Sequence, residues 1–414
     1  MKNTAIENSV RNKIKHCNAD SPFNPAELSS VIRSLKGGKA CGRDGLQAEH
    51  FIYGSDKLCV YLCMLFNAMI VHGFVCKGLM DTILVPIVKD KKGDISSKDN
   101  YRPIAITSVI SKILESCILK RYSHLLNTSY NQFGFKDNLS TDMCIFSLKH
   151  VIDYYSNMSS PVYLCYLDAS KAFDRLNYWI LFDKLLERKI PKIIVRILVY
   201  WYSNQEFLVR WGSHFSDSFG ASNGVRQGGV LSPYLFNVYM DGLSLLLNSS
   251  NVGCHIDNVS FNHLMYADDT VLIAPSARGL QKLILLCEDY ANNCDIIFNV
   301  KKSKYMCFNT GKAFGVPKVF LNGKPIELVS KYKYLGLSIC DNRKDDEAVS
   351  SQIRSLYCRG NLIIKHFKFC SDNAKILLFK AFCSSFYCSH LWGNCSYESS
   401  RKLKVAYNRI LEFL

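Results

Sequence analysis

Acidic side chains are the scarce charge in this 414-residue chain: 35 Asp and Glu face 51 Lys and Arg, a formal net charge of +16. A small neutral substrate gives no reason for that imbalance, whereas a polyanionic partner does. Cys-x-x-Cys pairs are missing although the chain holds 18 cysteines, which removes the common zinc-ribbon and thioredoxin-type motifs. The nearest approach to a zinc cluster, Cys383, Cys388, His390 and Cys395, has a spacing that fits no standard site. The opening Met1-Lys2-Asn3-Thr4 starts no apolar signal segment. The thiols are therefore expected to be reduced core residues of an intracellular protein, nuclear or cytoplasmic. Long apolar runs are missing too. Leu58 to Val75 comes closest, but Asn67, His72 and Gly73 interrupt it, and Lys57 and Lys77 flank it without charge asymmetry. It reads as a buried helix and not as a membrane span. There is no internal repeat and no low-complexity tract. With 48% hydrophobic residues the chain has material for the cores of roughly two or three domains.

Against this shortage, three of the acids sit where acids are costly. His263-Leu264-Met265 and Thr270-Val271-Leu272-Ile273-Ala274 are short β-prone runs on either side of Tyr266-Ala267-Asp268-Asp269. The pattern predicts a hairpin with the acids at its tip. Adjacent ionised carboxylates in an apolar setting repel each other and lose hydration, and a divalent cation relieves both. Neighbouring strand residues point to opposite faces, so one acid is expected to lead in ligation while the other assists from the bend. Far upstream, Val162-Tyr163-Leu164-Cys165-Tyr166-Leu167 is a continuous apolar run, as in a strand buried on both faces, and it ends at Asp168. Taken alone, Asp168 reads as an N-cap for the helical pattern around Tyr178 to Arg188. Taken with the hairpin, Asp168, Asp268 and Asp269 read as a shared two-metal site. Two hard divalent ions held by carboxylates activate a 3′-hydroxyl and stabilise departing pyrophosphate in an in-line displacement.

Further stretches follow in a fixed order: Gly37-Gly38-Lys39-Ala40-Cys41-Gly42-Arg43-Asp44-Gly45, Asn100-Tyr101-Arg102-Pro103-Ile104, Gln132-Phe133-Gly134-Phe135, Leu167 to Asp174, Gly224 to Pro233, and Tyr334-Leu335-Gly336 after the hairpin. In these residues the chain resembles the reverse transcriptases of non-LTR (LINE-type, Jockey-like) retrotransposons. Cys41 and Arg43 stand where that family often has prolines, a departure confined to one N-terminal loop. The resemblance implies RNA-directed DNA polymerisation on an RNA template from a DNA primer, with deoxynucleoside triphosphates, two Mg²⁺ or Mn²⁺ ions and no membrane. It implies an α+β right-hand polymerase whose antiparallel palm sheet is backed by helices. The divisions expected are an N-terminal extension over 1–50, fingers over 51–160 with 222–247 contributing, a palm over 161–340, and a helical thumb, incomplete, over 341–414. A catalytically silent relic that binds nucleic acid is the alternative, and a basic scaffold a third reading. The intact acids with Gln227 and Phe173 speak against the relic, and carboxylates inside apolar runs speak against the scaffold.

Along the chain, Asn24-Pro25 predicts a capped helix through Leu28, Val31, Ile32 and Leu35 that stops at Gly37-Gly38. Thr82 to Val88 reads as a strand leading into a basic loop, and Lys89 and Arg102 beside that loop are candidates for the triphosphate, since a guanidinium binds phosphate oxygens bidentately. Gly228 and Gly229 permit close backbone approach to a ligand, with Ser232-Pro233 opening a helix. The resemblance implies that Gln227 touches the incoming nucleotide, with Gly228, Tyr266 and Ala267 in the nucleotide site. It also implies that the Phe173 ring stacks under the sugar and excludes a 2′-hydroxyl. Lys301 and Lys302 read equally as a phosphate contact, a proton donor to pyrophosphate, or a solvated turn. Tyr332 to Leu337 reads as one strand. From about Asp345 the pattern turns helical and basic, with interleaved aromatics, which suits a grip on duplex phosphates.

Overall fold

Val162–Leu167, the apolar run that ends at Asp168, is a strand with neighbours on both sides. The structure, a computed structural model, describes residues 2–17, 21–310 and 317–413. Two units emerge. One comprises Met1–Tyr130, Ala169–Leu245 and Tyr290–Ile297, the other Asn131–Asp168, Leu246–Asp289 and Phe298–Leu414. The fold is α+β, as expected.

In the second unit the sheet runs Glu327–Leu328, Lys304–Phe308, Val162–Leu167, Asp269–Ala274, His263–Tyr266. All pairings are antiparallel except that of the two-residue edge strand Glu327–Leu328. Central position explains why Val162, Leu164, Cys165, Tyr166 and Leu167 are all buried. The helix Thr141–Asn157 supplies Cys144, Ile145, Leu148, Val151 and Ile152 to the same core, a stripe at helical spacing. Tyr332 to Leu337 is not one strand but the middle of a hairpin, Lys331–Tyr334 paired with Leu337–Cys340. Leu335 and Gly336 turn it at positive φ, and the Tyr387 hydroxyl holds the turn by donating to the Leu335 carbonyl (2.7 Å). A glycine and a leucine inside an otherwise β-prone run conceal that turn.

Helices Asp346–His366, Asp372–Phe382 and Tyr397–Glu412 follow. Leu356, Ile363, Phe379, Cys383, Ala406 and Ile410 form their own core. At Gly360 an added Cβ would stand 2.5 Å from Ile410, so the first and last of these helices cross where only glycine fits.

In the first unit, Asp81–Val88 pairs antiparallel with Tyr101–Thr107 and parallel with Glu206–Trp211. Pro25–Arg33 begins with a capping box, Asn24 Oδ1 accepting from the Glu27 N–H (2.9 Å) and Glu27 from the Asn24 N–H (3.0 Å). It stops short of Gly37-Gly38, because the Ser34 N–H and hydroxyl both turn back onto the Val31 carbonyl. Asp56–His72 buries Cys59, Leu62, Cys63, Phe66, Met69 and Ile70, while Tyr61, Met64 and Val71 on its other side are exposed. The expected buried helix is thus buried on one face only. Among the described residues no helix is long and apolar enough to cross a membrane.

Candidate active site

The acids are brought together by strand register. His263–Tyr266 and Asp269–Ala274 form the hairpin, with Ala267 and Asp268 as its two-residue turn and Asp269 paired with Tyr266. On the other side Thr270 pairs with Leu167, so the next step of that antiparallel ladder sets Asp168 opposite Asp269. The Asp269 carboxyl reaches solvent yet is crowded by protein. Lost hydration first, then the Asp268 and Asp168 charges, push its pKa up to about 6. His263, fully buried in the adjoining strand, stays neutral because burial lowers its pKa to about 3.

Asp168 is fixed at both ends of its peptide. Its N–H donates to Ser303 Oγ (3.2 Å) and its carbonyl accepts from the Asn299 N–H (2.8 Å). The same turn carries Lys302, whose Nζ lies 3.9 Å from Asp168 Oδ2. Asp168 caps no helix: Tyr178–Glu187 is capped by Asn177, whose side chain accepts from the Trp179 and Ile180 N–H groups. Tyr166 stacks on Tyr332 (centroids 4.1 Å apart). Burial, then the Asp269 and Asp168 charges, push the Tyr332 hydroxyl up to about 12.

Lys89, Arg102, Phe173, Gln227 and Gly228 lie in the first unit. Lys89 Nζ donates to the Asp99 carbonyl (3.0 Å), at the base of a loop organised by Asn100. Arg102 is exposed, opposite Ile87 on the paired strand. Phe173 is half-buried and stacked on Phe236, centroids 4.2 Å apart. Gln227 donates to Asp174 (3.0 Å), and its carbonyl accepts from the Ala105 N–H (2.7 Å). Gly228 has φ +124°, and a Cβ there would stand 2.6 Å from the Ala105 carbonyl oxygen, so the loop closes on that strand only through glycine.

What holds this loop is a pair the sequence reading passed over. Arg226 and Glu115, both almost fully buried, form an ion pair. Glu115 also accepts from the Val230 and Leu231 N–H groups (2.5 and 3.2 Å), and Arg226 lies over the Trp201 ring. The available signal was a lone Glu inside the apolar helix Val109–Tyr122.

Among the described residues, no three His, Cys, Asp or Glu side chains are gathered closely enough to cage an ion unaided. Cys383, Cys388, His390 and Cys395 accordingly form no zinc site; His390 instead faces Asp142 at 3.2 Å. The acids fit a different demand. Mg²⁺ is commonly bound through one or two carboxylates, completed by water and substrate phosphates. Carboxylates set opposite each other by strand register at Asp168 and Asp269, with Asp268 adjacent, are hard oxygen donors of the kind such an ion takes.

Comparison with known proteins gives the class. A family model described as reverse transcriptase (RNA-dependent DNA polymerase) matches residues 89–339, more than half of the chain, and the chain belongs to that family. Within it, the relatives are of the LINE-type, non-LTR retrotransposon kind. The Pol polyprotein of the type-2 retrotransposable element R2DM of Drosophila melanogaster is 30% identical over 56% of this chain and 21% of its own length. The RNA-directed DNA polymerase from mobile element jockey is 26% identical in Drosophila melanogaster, over 76% of this chain and 34% of that protein. The jockey polymerase of Drosophila funebris is 24% identical over 94% of this chain and 43% of that protein. The chain thus spans less than half the length of these relatives. Among solved structures, a telomerase from Candida tropicalis in complex with a telomeric RNA fragment is 14% identical, with a TM-score of 0.45 over 86% of this chain and 63% of that one.

Proposed function

We propose that this chain is the polymerase part of a non-LTR retrotransposon protein and copies RNA into DNA, adding deoxynucleotides to a primer 3′-hydroxyl. The observation that carries the reading is the register that draws Asp168 to the Asp268-Asp269 hairpin, in a chain of the reverse transcriptase family. Asp168 and Asp268 would be the principal ligands of a pair of Mg²⁺ or Mn²⁺ ions, with Asp269 assisting. When bound, such ions supply Lewis-acid activation of the hydroxyl and neutralise charge on the pyrophosphate.

The chain's own residues do the rest. Asp168 is presented on a peptide held by Asn299 and Ser303. Lys302 beside it supplies positive charge or a proton toward the leaving group. Lys89 and Arg102 bind triphosphate oxygens. Gln227, whose amide both donates and accepts, contacts the nucleotide after exchanging its bond to Asp174. Gly228, Tyr266 and Ala267 would each contact the nucleotide, and Phe173 would press on its sugar. RNA template and DNA primer are the partners. In this reading 1–50 is an N-terminal extension, 51–160 with 222–247 the fingers, 161–340 the palm and 341–414 the thumb.

Primer extension on RNA and DNA templates tests the reading. The wild-type chain extends a primer on RNA. Asp168→Asn or Asp268→Asn abolishes addition while primer–template binding persists, because affinity resides in phosphate contacts. Robust extension by either variant overturns the metal assignment. A wild-type chain that binds primer–template but adds nothing under either metal is a relic.

A further inference from the structure

The turn that carries Asp268 rests on a residue no role has yet been given. Ala267 has φ +57°, in the left-handed region that L-residues other than Asn, Asp and Gly seldom occupy. Both of its backbone polar groups are held by one side chain. Gln132 Oε1 accepts from the Ala267 N–H (2.9 Å), and Gln132 Nε2 donates to the Ala267 carbonyl (3.3 Å). Gln132 is 2% exposed, and its Oε1 also accepts from the Gly134 N–H (2.9 Å), so the amide is itself fixed.

The segment around Gln132 lies along the hairpin edge like a short extra strand. The Met265 N–H donates to the Asn131 carbonyl and the Phe133 N–H to the Met265 carbonyl, both at 2.8 Å, and Asn131 donates to the His263 carbonyl (2.9 Å). Gly134 completes the fit, since a Cβ there would stand 2.5 Å from the Ala267 nitrogen. A two-residue turn at a sheet edge otherwise exposes its peptide groups to water and rocks freely. Here a buried amide grips the first turn residue, and the Ala267 backbone angles set the direction in which the Asp268 and Asp269 carboxylates leave the hairpin.

We propose that Gln132 is a positioning residue for nucleotide addition: its amide clamps Ala267 and thereby aims the adjoining carboxylates at their metal ions. The inference rests on the metal role proposed for Asp268. Gln132 touches no substrate and acts only through the turn.

The test is Gln132→Met, which keeps the length and loses both kinds of bond, with Gly134→Ala pressing on the same nitrogen from the other side. Single-turnover extension, normalised to titrated active sites, is measured alongside Mn²⁺ affinity by electron paramagnetic resonance on the protein–primer–template complex without nucleotide. Both variants are expected to lose about 10- to 100-fold in rate or Mn²⁺ affinity, with primer–template affinity within about twofold of wild type. Lower thermal stability with an unchanged rate per active site and unchanged Mn²⁺ affinity would make Gln132 a packing residue and overturn the clamp. If Gln132→Met does not fold, a folded Gly134→Ala with wild-type rate and affinity overturns it equally. Asp268→Asn runs in parallel. Activity in that variant removes the metal assignment itself, whereas an inactive Asp268→Asn beside unaffected Gln132 and Gly134 variants removes the clamp alone.

Discussion

Phe173 gives the sharpest test of a single side chain. Its ring is half-buried with one face braced against Phe236, and the gate would act through its other face. If that face meets the sugar, a ribonucleotide's extra hydroxyl collides with it. Phe173→Val should then raise ribonucleotide incorporation relative to deoxynucleotide about 10-fold or more, equivalent to about 1.4 kcal/mol. A purely structural ring predicts lower stability and equal losses for both sugars, so an unchanged ratio in a folded variant removes the gate. At this scale the three acids were legible in the sequence because carboxylates inside β-prone apolar runs are a local anomaly. The stretch from Gln132 to Phe135 stood out, but the grip of Gln132 on Ala267 did not, since its partner lies 135 residues away and a glutamine carries no mark of burial. Asn177 was legible in principle as a helix cap, but the acid at Asp168 competed for that reading.

The Gln227-Gly228-Gly229 loop shows what an element can hide. Its anchor is the Arg226–Glu115 pair, withdrawn from water together with two backbone donors. Removing one member leaves the other as an uncompensated buried charge, at a cost of about 3–5 kcal/mol. Arg226→Met should therefore lower the urea midpoint markedly. The double variant Arg226→Met with Glu115→Gln should recover much of the loss, because the Gln carbonyl still serves the Val230 or Leu231 N–H. A double variant no more stable than the single one would show that the anchor is packing and not charge. Strands and helices were mostly legible because period-2 and period-3.6 patterns are local. The hairpin turn at Leu335-Gly336 was not, since a leucine at φ +44° is held there by Tyr387, 52 residues away.

At the scale of the whole molecule, charge is the quantity that acts. The +16 excess and the basic helices after Asp345 favour phosphate over base edges. Primer–template affinity should fall steeply with salt and depend little on sequence. Log affinity against log salt should have a slope of about −0.7 to −0.9 per phosphate contact. A flat dependence would point to base-edge or protein partners and would take the grip away from the C-terminal helices. The α+β class was legible here, but the division into two units of three segments each was not, because it depends on pairings between distant strands. The strand Val162–Leu167 illustrates what that costs during synthesis. Its two partners, Asp269–Ala274 and Lys304–Phe308, emerge from the ribosome only after a further hundred or so residues, on the order of ten seconds at about 5–20 residues per second. Throughout that interval a wholly apolar strand has both edges open to any other extended chain. The most exposed moment for this strand therefore comes before the chain is finished, while the half of its sheet that carries Asp268 and Asp269 is still being translated.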